Sequence, residues 1–300
     1  MGGSFLTKRG HRSQIYRQIL GPVIPFMSMN FIPNAITPDH QPEKALYFIL
    51  DIRHIVVNGL NVPEMAKPHA LEFSMGEAFF FGTFKGTPCY CAELQSKTVP
   101  EPFEKINLRA YFLGSDDTFR EMAGYARQVL DLHLNSRFCG RCGSPTRLLT
   151  HEHARICPSC HLTTYPRISP AVIMSVTKGD KILLGKGVNF PDKEMFSVLA
   201  GFVSPSETLE ECVRREVFEE TSIRVSDVRY VKSQPWPFPD SLMIGFTARY
   251  QSGEINIDPN EIVEADWFSY NNLPKIPHSY SLGGQLIRSF IREQGSQHKD

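Results

Sequence analysis

The feature that most constrains this chain is a pair of cysteine knuckles, Cys139-x-x-Cys142 and Cys157-x-x-Cys160, with 14 residues between them. Each CxxC sets two thiolates on one tight turn, where Gly140 and Gly143 relieve the backbone, and two such turns complete a tetrahedral sulfur shell around Zn²⁺. The stretch from 137 to 165 is too short to bury a core of its own, so metal takes the place of a core. A closed four-sulfur shell has no open position, which makes this zinc structural rather than catalytic. His151, His153 and His161 lie close by and, with four cysteines available, are expected as solvated ribbon residues. The chain has seven cysteines. An odd total containing two CxxC pairs argues against a secreted disulfide framework and for a reducing compartment, here expected to be the cytoplasm.

The knuckles also divide the chain. Before them, strand-like runs at Lys44 to Val57, Ala78 to Phe84, Thr87 to Leu94 and Leu108 to Leu113 are punctuated by Gly and Pro. The period then becomes helical, with Phe119, Met122, Ala123, Ala126, Val129, Leu130 and Leu134 recurring from Thr118 to Leu134. After Pro166 the texture is α/β. Strands are expected at Ala171 to Thr177, Lys181 to Lys186, Ser197 to Val203, Arg224 to Ser233, Met243 to Tyr250 and Glu254 to Ile257. Helices are expected at about Thr208 to Glu220 and Gly283 to Arg292. The expected parts are a β-rich domain with its linking helix at 1–134, the ribbon at 135–166 and an α/β domain at 167–300. No internal repeat is visible.

Composition excludes several classes. With 41% hydrophobic and 21% charged residues, the chain as a whole is not disordered. Its 32 basic residues balance 32 acidic ones, so no global field draws it to nucleic acid or membrane. No apolar run approaches the roughly 20 residues that cross a bilayer, and no membrane span is expected. Residues 1 to 38 carry Lys8, Arg9, Arg12 and Arg17 and no acid, but Ser and Ala are sparse. They read as a basic lead-in to the first strand rather than a transit peptide.

The segment GFVSPSETLEECVRREVFEETSI carries the chemistry. Glu216, Glu219 and Glu220 stand at i, i+3 and i+4, three carboxylates on one helical face. Like charges at that spacing repel by about 0.2–0.5 kcal/mol per pair, offset in part by Glu211–Arg215, Arg215–Glu219 and Glu210–Arg214 at i, i+4. Such a face suits hard divalent cations, Mg²⁺ or Mn²⁺, although a merely solvated acidic face remains open from the triplet alone.

The wider pattern is Gly201, five residues, Glu207, seven residues, then Arg215-Glu216-Val217-Phe218-Glu219-Glu220 and Thr221-Ser222-Ile223. It resembles the Nudix box, with Ser222 where that family has glycine. Glycine suits a left-handed cap, and serine there costs about 1 kcal/mol. Downstream, Ser233-Gln234-Pro235-Trp236-Pro237-Phe238-Pro239 followed by Asp240-Ser241-Leu242-Met243 resembles the NADH pyrophosphatase branch of the Nudix hydrolases. That branch also carries a four-cysteine ribbon before its Nudix domain.

The resemblance implies an α/β/α Nudix sandwich with a mixed sheet, preceded by the ribbon and a β-rich domain. It implies metal ligation by Glu216, Glu219, Glu220 and Glu261, with Glu264 the competing choice for the last. It implies substrate contacts at Phe202, Trp236, Ser241 and Gly283, and at Tyr165 across a homodimer interface. The implied reaction is hydrolysis of NADH or NAD⁺ to AMP and nicotinamide mononucleotide, with Glu220 and Glu261 both candidates for the base. Removal of NAD caps from RNA is a further implied activity, and Arg137, Arg141, Arg147, Arg155 and Arg167 around the ribbon are candidates for contacting the transcript. The alternative from another class is a zinc-ribbon nucleotide-sensing or RNA-binding module whose Nudix domain does not cleave.

Overall fold

The computed structural model describes residues 30–37, 43–66 and 73–297. The basic lead-in therefore lies mostly outside the described residues. The chain separates into two compact units, Met1–Tyr165 and Pro166–Asp300. No helix among the described residues is long and apolar enough to cross a membrane.

The front unit is built on a seven-stranded sheet: β1 (Phe31–Pro33), β2 (Ala45–Leu50), β3 (His54–Val57), β4 (Glu64–Met65), β5 (Phe79–Phe84), β6 (Thr87–Glu93) and β7 (Glu104–Asn107). The apolar run expected as one strand from Lys44 to Val57 is a hairpin. Asp51 breaks it by accepting hydrogen bonds from the Arg53 and His54 amides, both at 2.8 Å. The strand expected at Leu108 to Leu113 is instead helix α1 (Leu108–Gly114). Asn107 caps it by accepting from the amides of Arg109 and Ala110, and Leu108, Tyr111 and Phe112 are buried at i, i+3 and i+4, a helical spacing. Helix α2 (Asp117–Asn135), capped by Asp116, has Met122, Ala123, Ala126, Val129 and Leu130 buried, close to the expected stripe. The cysteine segment follows as three short strands, β8 (Arg147–Leu148), β9 (Arg155–Ile156) and β10 (Thr163–Thr164).

The rear unit is an α/β/α sandwich. Its mixed sheet contains β11 (Ser169–Lys178), β12 (Lys181–Gly187), β13 (Leu199–Phe202), β14 (Arg224–Trp236), β15 (Ser241–Ser252) and β16 (Ile262–Ser269), ordered β14-β15-β11-β12-β16 with β13 on β11. Alternation along β11 divides its side chains. Val172, Met174 and Val176 pack with Cys212, Val213 and Val217 of helix α3 (Leu209–Thr221). Ile173 packs with Leu282, Leu286 and Phe290 of helix α4 (Leu282–Gln297) on the other face. The strand expected at Glu254 to Ile257 is a loop, and the last strand is β16, paired antiparallel with β12.

The two sheets share one connectivity, a repeat that the residues do not display. In the front unit β2 pairs antiparallel with β3 and β4 and parallel with β6, β6 pairs with β5, and β3 with β7. In the rear unit β11 stands in the same relations to β12, β13 and β15, with β14 and β16 in the places of β5 and β7. The largest difference in spacing lies in one connection. From β13 to β14 the rear unit has 21 residues and helix α3, whereas from β4 to β5 the front unit has 13.

Three thiols outside the ribbon are buried and inert. Burial pushes Cys89 and Cys212 up to about 12 and Cys91 higher still. The buried group with the clearest consequence is His133, stacked on Phe79 at 3.9 Å with its Nδ1 unpartnered. Burial, then the charges of Arg155 and His153, lower its pKa to about 3. A base depressed in the fold stabilises fully above its unfolded value near 6.5, and that contribution is lost as pH falls towards 3, by up to about 1.4 kcal/mol per pH unit. Replacing His133 with Phe should therefore flatten the decline of melting temperature between pH 6.5 and 4; parallel curves for variant and wild type would rule the assignment out.

Candidate metal and nucleotide site

The glutamate helix is built from its ends inward. Thr208 and Glu211 form a capping box, with the Thr208 amide donating to Glu211 at 2.7 Å and the Glu211 amide to Thr208 at 3.3 Å. Glu211 is thereby occupied, so the expected Glu211–Arg215 pair does not form; Arg214, for its part, donates to the Glu210 carbonyl. At the other end Ser222 takes the left-handed conformation, φ 61° and ψ 11°, and its hydroxyl donates to the Asn256 carbonyl at 3.2 Å. The last carbonyls of the helix accept from the following loop: Thr221 from Asn256 at 3.0 Å and Glu220 from Asp258 at 3.1 Å. That docking carries Glu261 to the helix.

One ligand atom each from Glu216, Glu220 and Glu261 falls within 4.8 Å of the others. Glu264, the competing choice, is instead paired with Lys186 at 3.0 Å. Glu219 stands outside the triplet, 57% exposed and bonded to Arg215 at 2.8 Å. Arg215 organises the group. Its guanidinium donates to Glu207 at 2.6 and 3.0 Å, to Glu216 at 2.8 Å, to Glu219 and to the Phe202 carbonyl at 3.0 Å. Glu207, which the sequence offered only as a motif position, is its main partner, and the Arg215 hydrogen bonds hold it down at about 2. The Glu207–Arg215 spacing of eight residues crosses the start of the helix, beyond the reach of i, i+4 reasoning.

Gly201 explains how a buried carboxylate fits against the sheet. A Cβ there would sit 1.8–2.2 Å from the Glu216 carboxylate atoms, so only glycine admits it. Burial, chiefly, raises Glu216, and burial followed by the charges of Glu216, Glu261 and Glu219 raises Glu220 to about 8. Glu220 Oε2 is buried and has no hydrogen-bond partner. Converging carboxylates, one with an orphaned oxygen, are a donor set that fits a hard divalent cation.

The neighbouring residue faces the other way. Phe202, 58% exposed, is paired with Ala171 at the same end of the sheet, where Met243 is also Ala171's neighbour. Trp236 lies directly across from Ser241, and the Trp236 and Phe238 rings meet edge to face at 5.2 Å. Gln234, buried, donates to the Tyr280 carbonyl at 2.9 Å and accepts from the Leu282 amide at 2.7 Å, fixing the turn into helix α4. Gly283 belongs to that helix's packing: a Cβ on it would meet Ser197 and Ile173 at 3.1 and 3.3 Å. Tyr165 ends the front unit, 55% exposed, with its hydroxyl 3.4 Å from Glu152.

In the ribbon, Cys139, Cys142, Cys157 and Cys160 bring their sulfurs within 4.8 Å of one another, with Cys139–Cys160 and Cys142–Cys157 at 3.5 Å. A tetrahedral shell with zinc–sulfur bonds of about 2.3 Å has edges near 3.8 Å, so the cluster fits zinc. Backbone amides support the thiolates, Arg141 onto Cys139 at 3.4 Å and Cys160 onto Cys157 at 3.5 Å. His151 and His161 are exposed as expected, but His153 is half-buried against Tyr125 with its Nε2 unpartnered. Among the ribbon arginines, Arg155 is structural, donating to Thr146 at 2.7 Å.

Family models match in three places: the NUDIX domain over residues 166–288, the NADH pyrophosphatase zinc ribbon domain over 134–165, and the NADH pyrophosphatase-like rudimentary NUDIX domain over 55–131. The chain belongs to the Nudix hydrolase family. It is 40% identical over 225 residues, 75% of this chain and 81% of the relative, to a protein of Pseudomonas syringae pathovar tomato named NAD-capped RNA hydrolase NudC. It is 42% identical over 210 residues, 70% and 76% of the two chains, to the protein of that name from Pseudomonas putida. Among solved structures, a Nudix hydrolase from Nitrosomonas europaea aligns with TM-score 0.46 and 23% identity, covering 54% of this chain and 93% of its own. Nudix hydrolases use divalent metals, and the rear unit offers the carboxylates for them. The front sheet's shared connectivity agrees with the rudimentary Nudix match.

Two outcomes follow. The purified protein should hold one zinc per chain by metal analysis, and Cys157→Ser should abolish it. With the zinc retained and no Mg²⁺ or Mn²⁺ added, Glu220→Gln should raise the melting temperature at pH 8, because a buried, mutually repelling carboxylate is replaced by a neutral isostere; with the divalent cation supplied, its turnover should fall at least about 100-fold. An unchanged or lowered melting temperature in that variant would contradict the proposed strain.

Proposed function

We propose that the chain hydrolyses the diphosphate of NADH and NAD⁺ to AMP and nicotinamide mononucleotide, and removes NAD from the 5′ ends of RNA. The observation that carries this reading is the convergence of Glu216, Glu220 and Glu261 at the sheet end that also presents Phe202, Trp236 and Ser241. The names of the curated relatives supply the substrate class. A sensor without catalysis has no use for a buried carboxylate cluster that destabilises the empty fold.

Glu216, Glu220 and Glu261 are the proposed ligands of Mg²⁺ or Mn²⁺, with Glu219 at the rim. When bound, such cations neutralise phosphoryl charge and lower the pKa of a water. Arg215 keeps Glu216 and Glu219 in register with the Phe202 carbonyl, so the metal face and the base-binding face are fixed to each other through one guanidinium. Phe202 offers an exposed ring for the nicotinamide to stack on, while Trp236 and Ser241 border the same end of the sheet. Glu220, with an unpartnered buried oxygen and a pKa that burial raises to about 8, and Glu261, exposed on its loop, are the two groups proposed to take the proton of the attacking water. A homodimer in the cytoplasm, with Tyr165 reaching a partner's nicotinamide, completes the proposal.

Incubation with NADH and Mg²⁺ or Mn²⁺ should release AMP and reduced nicotinamide mononucleotide in equal amounts. Phe202→Ala should raise KM with kcat largely kept, and Glu261→Gln should lower kcat. Tight NADH binding without AMP release would refute the hydrolase reading in favour of a sensor.

A further inference from the structure

On the face of the rear sheet covered by helix α4, a groove of about 590 Å³ runs between that helix and strands β11, β15 and β14. Its chemistry is unlike that of the core beside it. Ser175, Thr247 and Arg229 stand in one row across three neighbouring strands, and Thr177 and Arg249 form the next. The hydroxyls make a polar floor, and Val231, Leu286 and Phe290 make an apolar wall. Arg229 and Arg249 share one carboxylate, Asp227, at 3.0 and 3.4 Å, and both are largely exposed, 72% and 74%. Two guanidiniums on one carboxylate leave a cationic charge unmatched, and a second anion relieves their repulsion. Glu293 on the helix is the opposing acid, and Lys178 is a further lining base, set over the Tyr250 ring at 4.2 Å.

The groove ends short of the nucleotide end, where Leu282 of helix α4 packs on Gly245, and the exposed stretch of β14 at residues 229–233 carries the line of cations past it. Lys232, opposite Gly245, donates to Gln285 at 2.9 Å, one step from the turn that Gln234 fixes. From Ser241 the strand rises about 3.4 Å per residue, which sets Lys232 roughly 14 Å, Arg229 roughly 20 Å and Arg249 roughly 27 Å along the same face. Cations at increasing distance from a nucleotide site, over a floor of hydroxyls, suit a polyanion that begins at that site and extends away from it.

We infer that this groove holds the single-stranded RNA that follows the NAD cap, with Lys232, Arg229 and Arg249 contacting successive phosphates. The inference rests on the proposed activity for its direction, but RNA binding tests it separately. The part-exposed hydroxyls of Thr177 and Thr247 are suited to ribose and phosphate oxygens, and an open cationic groove lacking base-specific walls predicts little sequence preference.

The test uses the full-length protein and an uncapped single-stranded RNA of roughly twelve nucleotides, the length of an ordinary single-strand site. Wild type should bind it, and Arg229→Gln with Arg249→Gln should weaken binding at least about tenfold at low salt and reduce the salt slope by about 1.4, the share of two phosphate contacts on a single strand. Asp227→Asn, which keeps a residue tolerant of the local positive φ of 55°, should bind more tightly, a gain that structural damage does not produce. With NAD-capped RNA, the double variant should lose kcat/KM by a similar factor while NADH turnover stays within twofold. Failure of the wild type to bind the RNA, an unchanged double variant, or a larger loss from Arg141→Gln with Arg147→Gln on the ribbon would overturn the inference. If RNA binding behaves as stated but neither NADH nor capped RNA is cleaved, the hydrolase reading falls and the groove stands.

Discussion

Everything in the catalytic unit depends on holding the Glu216 carboxylate against the backbone at Gly201. Repulsion among glutamates on an isolated helix is about 0.2–0.5 kcal/mol per pair, but burial makes each charge more costly. Three features offset that cost in turn. Gly201 leaves out the Cβ that would collide with the carboxylate. Arg215 supplies charge-assisted hydrogen bonds to Glu207, Glu216 and Glu219 at once, which an ammonium point charge cannot do in that geometry. Cys212, Val213 and Val217 flank Glu216 and Glu220 on the same buried face of the helix and hold that face against the sheet. What is left uncompensated is Glu220, and it is uncompensated in the direction that favours cation binding, because any ion that binds only the folded state stabilises it by mass action.

The front and rear sheets show what is scaffold and what is chemistry. Both run the same connectivity, and both bury a hydrophobic layer against it. The front unit's connection between β4 and β5 is eight residues shorter than its counterpart. The two units thus share a sheet topology, while the carboxylate site takes two of its three members from the helix between β13 and β14. Function on this fold resides in that grafted segment rather than in the sheet. The ribbon follows the same economy, replacing a core with four sulfurs that converge from two turns.

The legible parts of the sequence were those where local spacing fixes local structure. The knuckles at Cys139 and Cys157, the glutamate helix and the stripe of helix α2 were each specified by residues within a turn or two of one another. The misread parts were decided elsewhere in the chain. Leu108 to Leu113 carries aromatic and apolar residues that suit a strand, and only Asn107 as a cap and the burial of Tyr111 and Phe112 on one side make it a helix. Glu254 to Ile257 is drawn off the sheet because its own Asn256, and Asp258 just after it, donate to the carbonyls of Thr221 and Glu220. The choice between Glu261 and Glu264 follows from that docking and from Lys186, 78 residues earlier in the sequence but directly across from Glu264 on the neighbouring strand β12. The repeated topology left no trace in the residues because many sequences satisfy one pattern of strand pairing.

Strand β14 shows how a small irregularity can place several functional groups at once. A regular strand alternates faces every residue, so Arg229, Val231 and Ser233 would share one side and Lys232, Gln234 and Trp236 the other. The register instead shifts between Tyr230 and Lys232, so Arg229, Lys232, Gln234 and Trp236 fall opposite Thr247, Gly245, Met243 and Ser241, alternate residues of one strand and hence one face. A slip of one residue would turn every later side chain over. Without the bulge, Gln234 would point away from the Leu282 amide, the turn into helix α4 would lose both of its anchoring hydrogen bonds, and Trp236 would leave the face that carries Ser241. The extra residue at Val231 therefore aligns the fixed end of the nucleotide site with the cationic groove behind it, and it does so through backbone register, which no single-residue property of the sequence announces.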